Sequence, residues 1–235
     1  MTLSAGRKTV SLVLKMIVAV SAALGTVLSA LGGRGAFMGG SRVFMFFTIQ
    51  SNIAIALVCA AGAVLMMTGA KVRNGWFIVK FVFTVAITLT GLVFCIILAP
   101  TLGDRAWNVQ NILTHVIVPA ASVADFLTAG ICGRYRKRCV LLVTLPPLAY
   151  AVYAGIGYIE GWDFVRGLRY PYFFLNWGSP AGAFGFAREL PFMGCVWWIL
   201  LLLGILLAAG FLYLALIGRI RKRAVKRRKE TPDAI

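Results

Sequence analysis

Between Phe192 and Gly218 the chain carries no charged residue, and several other stretches come close to that length without a charge. An apolar run beyond about 18 residues has few solutions other than a helix across a bilayer. The rest of the composition agrees. Only 13% of the 235 residues are charged, where a water-soluble domain has about a quarter. The chain therefore reads as an integral membrane protein, which removes soluble enzymes and soluble binding modules from consideration.

Six spans are expected: Val10–Leu31, Phe44–Thr68, Trp76–Leu98, Trp107–Thr128, Cys139–Ile159 and Phe192–Ile217. Each is near or above the ~20 residues that a helix rising 1.5 Å per residue needs to cross. The expected fold class is all-α, a polytopic protein with six transmembrane helices. Residues 1–218 form one membrane domain and 219–235 a basic cytoplasmic tail. The first span has a rival reading as a signal peptide, because Arg7 and Lys8 precede the apolar stretch. Lys15 within the run, and the run's length, favour a retained helix.

Orientation follows from the Lys and Arg count of the connections. Arg7, Lys8, Lys71, Arg73, Arg134, Arg136, Lys137, Arg138 and eight residues of the tail fall on one side. Arg34, Arg42, Arg105, Arg166, Arg169 and Arg188 fall on the other. The richer side is expected to be cytoplasmic, with both termini there.

The net charge of +17 raises the question of nucleic acid. Its placement argues against that partner. The excess is concentrated in "RIRKRAVKRRK" directly after the last span. Such a cluster favours anionic headgroups, and no folded basic module is present to read a nucleic acid. Membrane lipids are the expected partners. Cys59, Cys95 and Cys195 lie in apolar runs, and Cys132 and Cys139 flank a basic loop, so no disulfide framework is expected. One His, without CxxC or paired-His spacing, leaves no metal site to expect, and no cofactor is called for.

The informative residues are the polar ones inside the spans. In the second, "FFTIQSN" places Thr48, Ser51 and Asn52 at spacings of three and four, on one helix face. In the fourth, Asn108, Asn111, His115, Ser122 and Asp125 form a similar stripe that includes Pro119. Polar groups in hydrocarbon are costly unless paired, so both stripes should face the bundle interior. Thr48 and His115 lie at similar depth below the outer ends of their helices. If they meet, the imidazole can take the proton of the hydroxyl, and the amides of Asn52 or Asn111 can donate to an oxyanion. No carboxylate is at hand to orient the imidazole, since Asp125 is ten residues further along. A backbone carbonyl, Asn111 or a water must serve. Asp125 is expected in a structural ion pair with Lys80 or Lys15. The competing reading of the stripes is an interhelical hydrogen-bond knot without chemistry.

The connection 160–191 is long and aromatic, with "GWDFVRGLRYPYFFLNW" at its centre. It reads either as a loop resting on the lipid interface or as a cap over a cavity, with Tyr170, Tyr172 and Trp177 as cap residues.

The order of motifs now carries a resemblance: "FTIQSN" opening the second helix, "HVIVP" in the fourth, "AYAVYAGIGY" in the fifth and "YPYFFLNW" outside. Over roughly Ser41 to Ile217 the chain resembles a broad group of bacterial six-helix membrane proteins. More distantly, it is similar to the androgen-induced gene product and the androgen-dependent TFPI-regulating protein, intramembrane threonine hydrolases of fatty acid esters of hydroxy fatty acids. The resemblance implies Thr48 as nucleophile, His115 of the H-x-x-x-P pattern as base, and Tyr170–Pro171–Tyr172 closing the site. It also implies a bacterial cytoplasmic membrane as the location. The polar "TIQSN" departs from that family's usual neighbourhood, and Ser51 stands as a competing hydroxyl. Three functions follow as expectations: a lipid ester hydrolase, a small-molecule transporter using Asp125, Lys80 and His115, or a lipid-interacting protein without turnover.

Overall fold

The computed structural model of the chain describes residues 3–32 and 40–230. Arg34, counted above with the outer connections, and residues 231–235 of the tail lie outside the described residues. Among the described residues, six helices are long and apolar enough to cross a membrane. They are α1 (Ala5–Gly32), α2 (Phe47–Met67), α3 (Asn74–Ala106), α4 (Val109–Cys132), α5 (Lys137–Ile159) and α6, whose span covers Cys195–Lys226. No strand occurs among the described residues. The fold is all-α and polytopic, as expected.

The polarity of α1 shows which solvent this bundle is built for. Its buried positions include Ser11, Lys15, Ser21 and Thr26, while Val13, Met16, Val20 and Val27 are exposed. A helix in water shows the reverse arrangement. Here the apolar side chains face lipid and the polar ones are hidden against protein.

Helices α1 to α4 pack into one group, with α5 and α6 against the far side of α3. Val18, Ile55, Cys59, Ile87, Val118 and Ala121 fill the middle of the first group. A second core, built around Phe81, Val85, Phe126, Val143, Leu206 and Ile217, joins α3 and α4 to α5 and α6. Lipid offers little hydrophobic drive for helix association, so close approach at small residues matters more. At Gly91 of α3 an added Cβ would stand 2.9 Å from the carbonyl oxygen of His115 and 3.2 Å from the Pro119 ring. At Gly25 of α1 it would meet Thr114 of α4 at 2.6 Å.

Two helices are irregular where the polar stripes lie. Pro119 has no N–H to offer the carbonyl of His115 one turn earlier, and α4 widens into a π-turn over Leu113–Ile117. A second π-turn occupies Val93–Leu98 of α3. These turns carry His115 and Phe94, and the two rings stack at 3.9 Å.

The start of α1 and the end of α6 lie at one end of the bundle, where Leu3 packs in the same cluster as Ile131 and Ile217. There, Arg221 of α6 donates to the carbonyls of Ile131, at 3.0 Å, and Gly133. Helix α6 continues without a break to Glu230, so the basic segment after Ile217 starts as a helical extension of the last span. At the opposite end the long connection folds down onto the bundle. Phe164, Phe174 and Leu175 are buried, and Tyr150 donates to the carbonyl of Met45 at 3.0 Å beneath them. The segment is packed as a cap rather than laid out on lipid.

Candidate active site

Thr48 sits in the first turn of α2, where Phe46 at the N-cap position offers no side-chain acceptor. The first N–H groups of a helix need outside partners. One comes from the cap loop: the N–H of Thr48 donates to the Tyr172 hydroxyl at 3.3 Å. That hydroxyl is also 3.4 Å from Thr48 Oγ1. On the other side of Oγ1, at 3.3 Å, stands Nε2 of His115. The imidazole is 8% exposed, clamped by Phe94 on one face.

The other ring nitrogen decides the direction of the hydrogen bonds. Nδ1 of His115 is 3.1 Å from the carbonyl oxygen of Asn111 and 3.0 Å from Thr114 Oγ1. The Thr114 hydroxyl donates to the carbonyl of Gln110 at 2.8 Å. A carbonyl can only accept, and the Thr114 proton is already committed, so the imidazole proton belongs on Nδ1. Nε2 is then the acceptor for Thr48. A directed chain results: Tyr172 O–H to Thr48 Oγ1, Thr48 O–H to His115 Nε2, His115 Nδ1–H to the Asn111 carbonyl. The contacts at Oγ1 are longer than the ~2.8 Å usual for strong hydrogen bonds. Unliganded catalytic pairs often stand apart this way and tighten on substrate.

Several expected residues do something else. Asn52 does not aim its amide at an oxyanion. Its Nδ2 donates to the carbonyls of Thr48, at 2.8 Å, and Thr114, at 3.1 Å. It thereby ties α2 to α4 beside the Thr48–His115 contact and acts as a brace. Asn111 likewise spends its Nδ2 on the carbonyl of Ala106 at 2.9 Å, and it orients His115 through its backbone oxygen instead. Ser51 turns toward α3, with Oγ 2.8 Å from Thr90 Oγ1 and 3.0 Å from the carbonyl of Thr48. Tyr170 and Trp177 line neither chamber beside Thr48, so of the three expected cap residues only Tyr172 reaches the site. Asp125 lies at the other end of α4, 2.7 Å from Lys15 Nζ and 2.8 Å from Lys80 Nζ.

Two chambers meet at Thr48. One, about 610 Å³ counting the open space at its mouth, is walled almost entirely by carbon, including Phe47, Leu89, Tyr150, Leu175 and Leu202. The other, about 550 Å³ counting the open space at its mouth, is lined by His115, Asn111, Phe94 and Ser29. Thr48, Leu98 and Tyr172 line both. Such a site suits a ligand with a long apolar arm and one polar junction held at the partition. Burial pushes the Tyr172 hydroxyl above the ordinary tyrosine value, which keeps it a donor at neutral pH. The start of α2 adds the positive end of a helix dipole where negative charge on an attacked carbonyl would develop.

Phe94, Tyr150 and Thr114 were not singled out from the sequence. Their roles depend on the two π-turns and on the fold of the cap loop, and Pro119 was the only local sign of the former. No protein-family model matches the chain, and neither a curated protein nor a solved structure is significantly similar to it.

Proposed function

We propose that the protein is an intramembrane hydrolase of lipid esters, with Thr48 as nucleophile and His115 as general base. The observation that carries the reading is the 3.3 Å approach of Thr48 Oγ1 to His115 Nε2, on a ring whose other nitrogen is held by the Asn111 carbonyl. The apolar chamber beside Thr48 supports a long hydrocarbon chain as part of the substrate, and the resemblance of the "FTIQSN" and "HVIVP" elements points the same way.

In this mechanism Thr48 Oγ1 attacks the ester carbonyl while Nε2 takes its proton. The tetrahedral oxyanion is met by the Tyr172 hydroxyl and the N-terminal turn of α2. Collapse breaks the ester C–O bond. The departing alkoxide takes the proton from His115, leaving an acyl-Thr48. Water, deprotonated by Nε2, attacks that acyl group and releases a carboxylic acid and the free hydroxyl. By the distribution of Lys and Arg, the end carrying the start of α1 and the end of α6 faces the cytoplasm. The site then opens toward the outer leaflet, with a bacterial cytoplasmic membrane as the expected location.

The transporter reading draws on Asp125 and Lys80, but the packed layer of Ile55, Ile87 and Val118 stands between that cluster and His115. A fluorophosphonate probe on purified protein discriminates. Labelling of the wild type that disappears in Thr48→Ala and His115→Gln is expected. Labelling that persists in both variants at the wild-type rate would discard the Thr–His pair.

A further inference from the structure

The end of the bundle opposite Thr48 contains a larger cavity, about 1520 Å³ counting its open mouth. Lys8, Lys15, Lys71 and Lys80 line it, against a single carboxylate, Asp125. Its floor is unusual. Lys15 and Lys80 are 5% and 7% exposed and Asp125 is fully buried. Lys15 Nζ reaches Asp125 Oδ1 at 2.7 Å and Ser11 Oγ at 2.6 Å. Lys80 Nζ lies 2.8 Å from Oδ2, an ion pair outside hydrogen-bond geometry, and donates to Cys59 Sγ at 3.0 Å.

Two ammoniums share one carboxylate, and their other partners are a neutral hydroxyl and a thiol. One positive charge is therefore left over at the base of a cavity inside the membrane domain. A buried charge without a counter-charge is expensive. Each ammonium has three N–H groups, and among the described residues each has protein partners for at most two. Both face the cavity. Higher up, Lys8 and Lys71 stand on the wall. The remaining lining, including Leu65, Met66, Trp76 and Phe126, is apolar. Gly62 makes room for the Lys15 stem, since a Cβ there would meet its Cε at 2.9 Å.

We propose that this cavity binds a phosphate-bearing anion, whose oxygens take the unused N–H groups of Lys15 and Lys80 and neutralise the surplus charge. The chemistry is that of a phosphate group on a ligand with net negative charge. Either an anionic phospholipid headgroup, with its glycerol end against the apolar wall, or free phosphate supplies it. The site is independent of the Thr48–His115 reading.

The test uses the full chain in dodecyl maltoside micelles. Phosphatidylglycerol and phosphatidylcholine are each titrated and counted on the intact protein by native mass spectrometry, and inorganic phosphate is measured by equilibrium dialysis. The discriminating variant is Lys80→Met. It leaves Lys15 paired with Asp125, so the cluster becomes neutral and the helix packing keeps its ion pair. Lys15→Met is the second variant if the first does not fold, and Lys8→Gln/Lys71→Gln probes the wall alone. A control, Lys222→Gln/Arg223→Gln, removes two charges from α6 away from the cavity.

The expected result is one saturable site for a phosphate-bearing ligand. Lys80→Met or Lys15→Met should weaken it at least tenfold, the wall pair severalfold, and the α6 control by less than twofold. Phosphatidylglycerol binding with no displacement by millimolar inorganic phosphate identifies a headgroup site. Dialysable phosphate that competes identifies a free-phosphate site. Equal affinity in the wild type and both cluster variants would overturn the proposal, as would a loss in the α6 control as large as theirs, or equal binding of phosphatidylcholine.

Discussion

Asp125→Asn is the perturbation that most directly tests how the bundle is held together. The side chain is fully buried and sits 2.7 and 2.8 Å from two ammoniums. The substitution preserves volume and shape and removes only the charge. Lys15 and Lys80 must then either keep two positive charges side by side or give up a proton, and both outcomes are unfavourable. Removing one partner of a buried ion pair costs about 3–5 kcal/mol. A chain of 150–250 residues loses about 2–4 °C of melting temperature per kcal/mol, so a drop of roughly 6–20 °C is expected. The assay is thermal unfolding of the purified protein in detergent, followed by intrinsic fluorescence. A triple variant, Lys15→Met/Lys80→Met/Asp125→Leu, supplies the counterpoint. Replacing a whole buried ionic cluster with apolar side chains is often neutral or stabilising by about 1–4 kcal/mol, so it should melt at or above the wild type. An Asp125→Asn protein within about 2 °C of wild type would refute the reasoning, as would a triple variant that melts as low as the single one.

Gly91→Ala should damage the site from behind. Its Cβ would lie 2.9 Å from the His115 carbonyl oxygen and 3.2 Å from Pro119, and overpacking of this kind costs about 1–3 kcal/mol. Displacing His115 by even a fraction of an ångström should slow fluorophosphonate labelling about 10–100-fold; an unchanged rate would show that the π-turn does not position the ring. Tyr172→Phe removes the hydroxyl that meets both the N–H and Oγ1 of Thr48, and labelling should fall about 10²-fold while the melting temperature moves little. Wild-type labelling would remove Tyr172 from the mechanism. Gly157→Ala would push a Cβ to 2.6 Å from both Trp162 and Phe164, lifting the cap loop. Limited proteolysis should then cut within residues 160–194 faster than in the wild type, and an unchanged rate would mean that the cap is not seated through this glycine.

Much of this architecture is written in hydropathy and spacing. Six apolar runs, and the two polar stripes of α2 and α4, are visible because a bilayer permits few ways to hide a polar side chain. Thr48 with His115, and Asp125 with the lysines, follow from asking which polar groups lie at matching depth. Helix ends are less legible. Helix α6 continues to Glu230 because Arg and Lys are good helix formers and nothing in "RIRKRAVKRRK" breaks a helix. Helix α3 reaches Ala106 through a π-turn and past Pro100, which begins a new turn rather than ending the span. The role of Asn52 is not legible for a physical reason. Its spacing puts it on the right face, but only the three-dimensional crossing of α2 and α4 reveals two carbonyls waiting for its amide. The same holds for Phe94, whose stacking on His115 requires π-turns in two helices at once.

The distances divide the polar residues into two groups that should respond differently to mutation. Contacts that brace the helices are shorter: 2.7 and 2.8 Å at Asp125, 2.8 Å between Ser51 and Thr90, 3.1 Å from Asn52 to the carbonyl of Thr114. Those around the Thr48 hydroxyl are long, 3.3 and 3.4 Å. With little hydrophobic drive between helices in lipid, the short set carries stability, and variants there should unfold. The long set is poorly satisfied in the unliganded protein, so its members contribute little to folding and have most to gain when a substrate draws them together. A residue that matters for chemistry but not for melting temperature is the signature of a site rather than a knot. It separates the hydrolase reading from the purely structural one, in which loss of Thr48 or His115 should lower the melting temperature as surely as loss of Asn52.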